Sequence, residues 1–337
     1  KTVAYILEHS EAKVLIIDRQ LHAVAEKALS TLKEKPIVID VQDDFADQSL
    51  LKKIGDREYE EFLSTGDENY IWKKPKDEWQ AISLRYTSGT TGFPKGAVLS
   101  HQSLLNNARF YADRLEVSAD HVWANIMPMF HTSGCGMISL GCLQFGCKMV
   151  LFKLFDPVAI LRIIESEHIT GFLGVPTMLV ALLESLNVEP VDVSSVEMVV
   201  SGGAMVAPEL VRNIQQAFDC KFETVYGQTE TSPLITQHHA EDSIDDICNT
   251  VGQPMPQTSV SIRSIEDNKV VPLDTVGEIC VQGYCNMIEY HANTEATAET
   301  IDKQGWLHTG DLGTMDSRGY VRVTGRVKEM IIRGGEN

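Results

Sequence analysis

Residues 86–96 read Tyr86-Thr-Ser-Gly-Thr-Thr-Gly-Phe-Pro-Lys-Gly96. Four hydroxyl side chains (Thr87, Ser88, Thr90, Thr91) are interleaved with Gly89 and Gly92, and the single cation Lys95 precedes Gly96. Glycine tolerates positive φ and lets a ligand approach the main chain closely. Successive N–H groups in such a turn form an anion-binding concavity. Hydroxyls add neutral donors and Lys95 adds a point charge, so the segment has the composition of a phosphate cradle. A flexible Gly/Ser linker is the bland alternative, but linkers rarely carry an ordered Pro-Lys-Gly ending. A P-loop requires Gly-Lys-[Ser/Thr] opening a helix. Here Pro94 precedes Lys95 and Gly96 follows it, so that match fails.

Four further clusters carry polar chemistry. Tyr226-Gly-Gln-Thr-Glu230 offers a carboxylate suited to Mg²⁺ beside phosphates, with the Thr229 hydroxyl for a phosphate oxygen. A solvated Glu230 at a strand end is the plain alternative. Gly305-Trp-Leu-His-Thr-Gly-Asp-Leu-Gly313 places Asp311 in a glycine-bounded turn. It suits accepting two hydrogen bonds from vicinal hydroxyls, or it is simply a turn former. The others are Gly325-Arg-Val-Lys-Glu329 and Pro128-Met-Phe-His-Thr-Ser-Gly134, whose lone His131 is of a type more often structural than catalytic.

The elements that must position these residues follow from periodicity. Short β-branched runs at 14–18, 37–41, 123–128, 148–152, 196–203 and 222–227 predict buried strands. Helices are predicted at 21–33 and after Asp156-Pro157, Pro176 and Pro208, where an acidic cap or a first-turn proline signals a start. This alternation predicts a mostly parallel sheet covered by helices. Beyond about 248 the runs at 259–265, 277–283 and 319–325 alternate with period two, predicting a small antiparallel sheet or barrel, with one helix at 293–301. Residues 42–80 read as surface helices and loop.

Composition bounds the rest. The 337 residues suffice for several subdomains, and 43% apolar with 23% charged residues is an ordinary globular mix. A net charge of −18, from 47 acidic and 29 basic residues, opposes a nucleic-acid-binding role. Any phosphate site must then be local. No run spans a bilayer and no targeting segment is visible, which favours the cytoplasm. Seven cysteines at irregular spacing without a CxxC pair indicate small buried residues in a reducing compartment. Both ends begin or stop in mid-pattern, as in a fragment.

Taken in order, these motifs resemble the adenylate-forming superfamily of acyl-CoA synthetases, luciferases and peptide-synthetase adenylation domains, over essentially the whole chain. TSGTTGFPKG and GWLHTGDLG are the most specific segments. YGQTETSP, the Gly-Tyr-Cys at 283–285, NTEATAE and GRVKEMIIRGGEN resemble medium- or long-chain fatty acyl-CoA synthetases. The resemblance implies a fold of two Rossmann-like, mostly parallel β-sheet subdomains covered by helices, plus a small antiparallel β-barrel. The expected divisions are 1–115 with the phosphate loop, 116–247 with the acyl and adenine pocket, 248–324 for the barrel, and 325–337 for a hinge and the start of a C-terminal domain. It also implies a two-step reaction. A carboxylate attacks the α-phosphate of Mg²⁺·ATP to give acyl-adenylate and pyrophosphate, and CoA then displaces AMP. By the same resemblance Thr87, Ser88, Gly89, Thr90, Thr91, Gly92 and Lys95 face the β- and γ-phosphates. Gly203, Ala204, Tyr226 and Gly227 line the adenine site. Thr229 meets the α-phosphate, Glu230 holds Mg²⁺, and Asp311 with Arg326 binds the ribose. His131 lies at the carboxylate end of the acyl pocket, and Lys328 is the hinge.

Several points depart from the pattern or stay open. The family's catalytic lysine near the end of its C-terminal domain lies beyond Asn337, so weak nucleotide binding and little turnover are expected of this chain alone. At Met287-Ile-Glu-Tyr-His291 relatives have Gly at 289 and Trp at 291, and a local surface effect is expected. No Asp stands beside His131, where amino-acid activators of the superfamily place one, which disfavours an amino acid; a fatty acid is what the resemblance implies. Gly134, Gly136, Gly141, Gly146 and Gly174 leave room for an acyl tunnel or serve tight packing. An aryl-acid CoA ligase of coumarate type and a non-catalytic nucleotide-binding relative are the alternatives. Monomer and dimer are not distinguished.

Overall fold

The computed structural model describes residues 1–43, 46–47, 51–87 and 93–327. The chain divides into two compact units, Lys1–Lys76 with Tyr86–Gly96, and Asp77–Arg85 with Ala97–Asn337.

The first unit begins with α1 (Thr2–His9), β1 (Val14–Asp18), α2 (His22–Leu29), β2 (Ile37–Val41), β3 (Arg57–Glu58) and α3 (Tyr59–Ser64). Strands β1, β2 and β3 form a parallel sheet in that order. Ile17, Ala25, Leu29 and Val38 make its small core. The helix expected at 21–33 is shorter, chiefly at its C-terminal end, where it stops at Leu29 with Ser30 as its cap; a 3-10 turn at Arg19–Leu21, opened by the Asp18 side chain, precedes it.

The chain continues through β4 (Ala81–Thr87), β5 (Lys95–Ser100), α4 (His101–Arg114), β6 (Val122–Asn125), α5 (Leu140–Phe145), β7 (Lys148–Leu151), α6 (Pro157–Glu167), β8 (Gly171–Leu173), α7 (Pro176–Val188), β9 (Met198–Gly202), α8 (Pro208–Phe218), β10 (Lys221–Gly227), β11 (Leu234–Gln237) and α9 (Ile244–Asn249). A π-helical turn at Ser133–Ser139 runs directly into α5. Asp156 caps α6 by accepting from the Val158 and Ala159 amides, both at 3.1 Å, with Pro157 in the first turn. Parallel neighbours need a long crossover, usually a helix, and these helices supply it between the strands of a parallel array.

That array is the main sheet, ordered β12-β11-β10-β9-β8-β6-β7 with β12 at Gln253–Pro254. Strands β10, β9, β8, β6 and β7 are parallel, and β11 and β12 extend the sheet antiparallel. Buried Ile160, Ile164, Phe172, Leu179, Val199, Ile214 and Phe218 fill one hydrophobic cluster. A second gathers Tyr111, Trp123, Met137, Val200 and Val225.

The remaining elements are β13 (Thr258–Arg263), β14 (Gly277–Gly283), β15 (Glu289–Tyr290), α10 (Thr294–Thr300), β16 (Leu307–Met315) and β17 (Val321–Arg326). Strands β13, β14, β16 and β17 make an antiparallel sheet in that order. It is open: β13 and β17 are its edges, and no closed barrel exists among the described residues. Four short strands give too small a circumference to close around side chains, so the barrel expectation is corrected to an open sheet. Strand β15 pairs with β5 through Glu289 opposite Val98 and Tyr290 opposite Ala97. No helix among the described residues is long and apolar enough to cross a membrane.

Candidate active site

The main sheet delivers several candidate residues to one kind of place. His131 follows β6, Gly203 and Ala204 follow β9, and Gly227, Thr229 and Glu230 end or follow β10, all at the carboxyl ends of parallel strands. Strand order there reverses, since β6 lies between β7 and β8. Ligands of open α/β sheets bind beyond the carboxyl ends of strands at such a switch point.

The segment after β10 is tightly built. Gln228 and Thr231 cap each other across a 3-10 turn at Thr229–Thr231. The Thr231 hydroxyl also donates to the Pro233 carbonyl at 2.6 Å. A Cβ on Gly227 would lie 1.9 Å from that carbonyl oxygen, so the position admits no side chain. Gly203 turns at φ 76°, a region glycine enters without strain.

Glu230 is fixed from two directions. Its carbonyl accepts from the Met287 N–H at 2.7 Å, and its Oε1 accepts from the Tyr290 hydroxyl at 2.6 Å. Tyr290 is only 4% exposed, and burial first, then the Glu230 charge, drives its phenol far above the usual value. Residues 287–291 were expected to matter only at the surface. The structure corrects this: β15 inserts Tyr290 beneath Glu230. Oε2 of Glu230 has no hydrogen-bond partner among the described residues, and the side chain is half-buried. One oriented carboxylate with an open oxygen is a donor set that suits Mg²⁺, which keeps most of its ligands as water and phosphate oxygen.

Asp311 is not in a turn, as its glycine-flanked sequence suggested, but within β16, opposite Arg326 of β17. Gly310 (φ 73°) and a register shift after Leu312 let the strand carry it. Asp311 is 5% exposed. Its Oδ2 accepts from the Tyr226 hydroxyl at 2.8 Å and its Oδ1 from Arg326 Nε at 2.5 Å. Burial raises its carboxyl above the ordinary value despite the opposing pull of Arg326 and Tyr226. The phenol of Tyr226 is pushed well above the usual value by burial and then by the Asp311 charge. Thus Tyr226, Asp311 and Arg326 form one hydrogen-bonded cluster, built from three strands of two sheets.

His131 sits half-buried beside the Phe130 ring, with centroids 4.8 Å apart, at the start of the π-helical turn. A Cβ on Gly134 would meet the Pro128 carbonyl oxygen at 2.4 Å, and one on Gly174 would press Leu179 at 3.1 Å. At these two positions tight packing accounts for the glycine.

Thr87 ends β4 and donates from Oγ1 to the Lys95 carbonyl at 3.4 Å. Tyr5 of α1 donates to the Pro94 carbonyl at 3.2 Å and lies 4.9 Å from the Phe93 ring. His9 Nδ1 and the Tyr86 hydroxyl are 2.8 Å apart. Tyr86 and Pro94, on either side of the glycine-rich segment, are thereby pinned to α1. Ser88, Gly89, Thr90, Thr91, Gly92 and Lys328 lie outside the described residues.

The sequence profile of the AMP-binding enzyme family matches residues 1–291. The chain belongs to this family. Among individual relatives of this AMP-binding chain, YngI of Bacillus subtilis is 37% identical over 289 residues, 86% of this chain and 51% of the relative. The human mitochondrial medium-chain acyl-CoA ligase ACSF2 is 36% identical over 262 residues, 76% of this chain and 43% of the relative. This chain therefore spans about half the length of the relatives it matches. In three dimensions it resembles ATP-bound MatB from Rhodopseudomonas palustris (TM-score 0.82, 26% identity, 99% of this chain and 63% of that one). The fold is shared also with a long-chain-fatty-acid-CoA ligase, FadD1, from Archaeoglobus fulgidus (TM-score 0.84, 24% identity, 97% of this chain and 65% of that one).

Proposed function

We propose that this AMP-binding chain is the nucleotide- and acid-binding part of an ATP-dependent acyl-CoA synthetase acting on fatty acids in the cytoplasm. The observation that carries the reading is the Tyr226–Asp311–Arg326 cluster, in the same unit as an oriented Glu230 with one open oxygen. Membership of the family and the names of the relatives supply the reaction class.

In this reading Asp311 and Arg326 hold the two ribose hydroxyls. Each carboxylate oxygen has a second lone-pair direction, so Asp311 can accept from a sugar without releasing Tyr226. Tyr226, Gly227, Gly203 and Ala204 border the base. Thr229 offers its hydroxyl to the α-phosphate, and Glu230 is the residue that would hold Mg²⁺. The ion, when bound, supplies charge neutralisation on the phosphates. Lys95 and residues 87–92 would take the outer phosphates. His131 borders the acid. The substrate's own carboxylate attacks the α-phosphorus, pyrophosphate leaves, and CoA then takes the acyl group and releases AMP. Displacement at phosphorus needs positioning and electrostatic stabilisation rather than a protein nucleophile. None of the seven cysteines is required. Lys328 would serve as the swivel between the two half-reactions.

The test uses the natural full-length polypeptide with Mg²⁺, ATP, CoA and a series of carboxylic acids. AMP and pyrophosphate, with fatty acids preferred over benzoate and coumarate, are expected. Preference for the aryl acids would replace the substrate assignment. ADP as product, or nucleotide binding without pyrophosphate release, would overturn the reaction.

A further inference from the structure

Two cysteines that the proposed chemistry leaves unused stand at the two ends of one helix-terminating turn. Helix α5 ends at Phe145, Gly146 turns left-handed at φ 69°, and the Cys147 N–H donates back to the Cys142 carbonyl at 3.2 Å. This six-residue closure is of the Schellman kind, which brings the residues at its two ends into side-chain contact. Both cysteines pack against the same hydrophobic cluster, Cys142 within it and Cys147 at its margin. Covalent geometry across that main-chain hydrogen bond keeps their Cα atoms within about 7 Å, the outer limit for a disulfide. Both thiols are free. Cys142 is 5% exposed, whereas Cys147 is only half-buried and meets solvent.

The pair also differs electrically from the other thiols. Hydrogen bonding from Cys142 holds Cys147 below the ordinary thiol value, while Cys142 itself rises far above it. Burial pushes Cys135, Cys220, Cys248, Cys280 and Cys285 up. The reactive form of a cysteine is the thiolate. Cys147 is thus the accessible nucleophile, and its neighbour is a shielded thiol placed to follow it.

We propose that Cys142 and Cys147 are a reversible redox pair, oxidised by a hydroperoxide at Cys147 and resolved by Cys142 into an intramolecular disulfide. The Cys147 thiolate attacks the nearer peroxide oxygen. The O–O bond breaks, the leaving hydroxide or alkoxide takes up a proton, and Cys147 becomes a sulfenic acid. The Cys142 sulfur then gives up its proton and attacks Cys147, forming the S–S bond and expelling hydroxide, which leaves as water. Two thiols and one hydroperoxide yield one disulfide and two waters, or one water and an alcohol. A dithiol reductant reverses the bond by exchange. The bond ties the end of the helical stretch that follows His131 to the residue before β7.

Limiting hydrogen peroxide, followed by alkylation and peptide mass spectrometry of the unreduced natural protein, tests this. The tryptic peptide from Leu115 to Lys148 holds both residues and Cys135. It is expected to lose two hydrogens and to become refractory to alkylation at 142 and 147, about tenfold faster than any other cysteine is oxidised. Dithiothreitol should restore both thiols. Cys135→Ser should form the bond unchanged, and Cys147→Ser should abolish fast oxidation. Cys142→Ala, which keeps the core apolar, should stop at a dimedone-trappable sulfenic acid on Cys147. A bond to Cys135, direct passage of Cys147 to sulfinic acid in the unaltered protein, or oxidation of Cys147 no faster than the rest would overturn the proposal.

Discussion

Glu230 gives one carboxylate oxygen to Tyr290, and the other has no hydrogen-bond partner among the described residues. Tyr290→Phe keeps the buried ring and removes only the donor. A hydrogen bond to a charged acceptor contributes about 1.5–3 kcal/mol, and about 1.4 kcal/mol is tenfold in an equilibrium. In the full-length protein the Mg²⁺ concentration for half-maximal pyrophosphate exchange is expected to rise about tenfold or more, with calorimetric Mn²⁺·ATP affinity falling in parallel. An unchanged metal dependence with a lowered melting temperature would leave Tyr290 a packing residue. Gly227→Ala is a different kind of change. A methyl 1.9 Å from the Pro233 carbonyl forces the backbone to move, at a cost on the order of 3 kcal/mol in urea unfolding. Contiguous motifs made most candidate residues readable, because spacing within a turn is itself a geometric statement. Tyr290 was not readable: it stands 60 residues from Glu230, and tertiary contacts, the Met287 N–H to Glu230 carbonyl bond and the pairing of β15 with β5, set it there.

Among the elements, β10 carries a buried acid that the site does not use. Glu223 is fully buried and accepts from Gln237 Nε2 at 2.9 Å, while Glu223 Oε1 and Gln237 Oε1 have no partner. Burial lifts the Glu223 carboxyl to about 8 against the lowering effect of Gln237 and Arg114, with Asp242 adding to the rise. A proton on Glu223 supplies the donor these oxygens lack. The folded value lies above that of the unfolded chain, so the native state keeps a proton that the unfolded state has lost. This contribution is whole below the unfolded carboxyl value, declines as pH rises from there, and is gone above about 8. Glu223→Gln is expected to flatten urea stability between about pH 5 and about pH 9. A wild-type slope that persists in the variant would refute the assignment. The cap of α6 is a simpler element: Asp156→Ala should cost about 1 kcal/mol of unfolding free energy.

The sequence was most legible where periodicity was strong. Strand β14 spans the same residues as its alternating run, and Pro157, Pro176 and Pro208 each open a helix. Strand β16 was hidden by Gly310, Asp311 and Gly313, residues that favour turns but here serve a bulged strand lying between two partners. The helical stretch from Ser133 was masked by Gly134, Gly136 and Gly141, whose low helix propensity is overridden by burial. Three-residue β8 is too short for any pattern to register.

At the scale of the molecule, the chain covers about half of its relatives' length. Pyrophosphate exchange by this chain alone is therefore expected to be far slower than by the natural full-length polypeptide. Equal rates in a side-by-side assay would show that residues 1–337 suffice.

The edge position of β17 has a mechanical corollary. Arg326 is its last residue and lies in register with Asp311. The clasp on the proposed sugar site thus lies one step before the last rung of the β16–β17 ladder, where the Val327 N–H donates to the Gly310 carbonyl at 2.9 Å. A pull on the backbone at Val327 reaches that pair within one residue, so strain at this strand end and the proposed grip on a nucleoside would form a single mechanical variable.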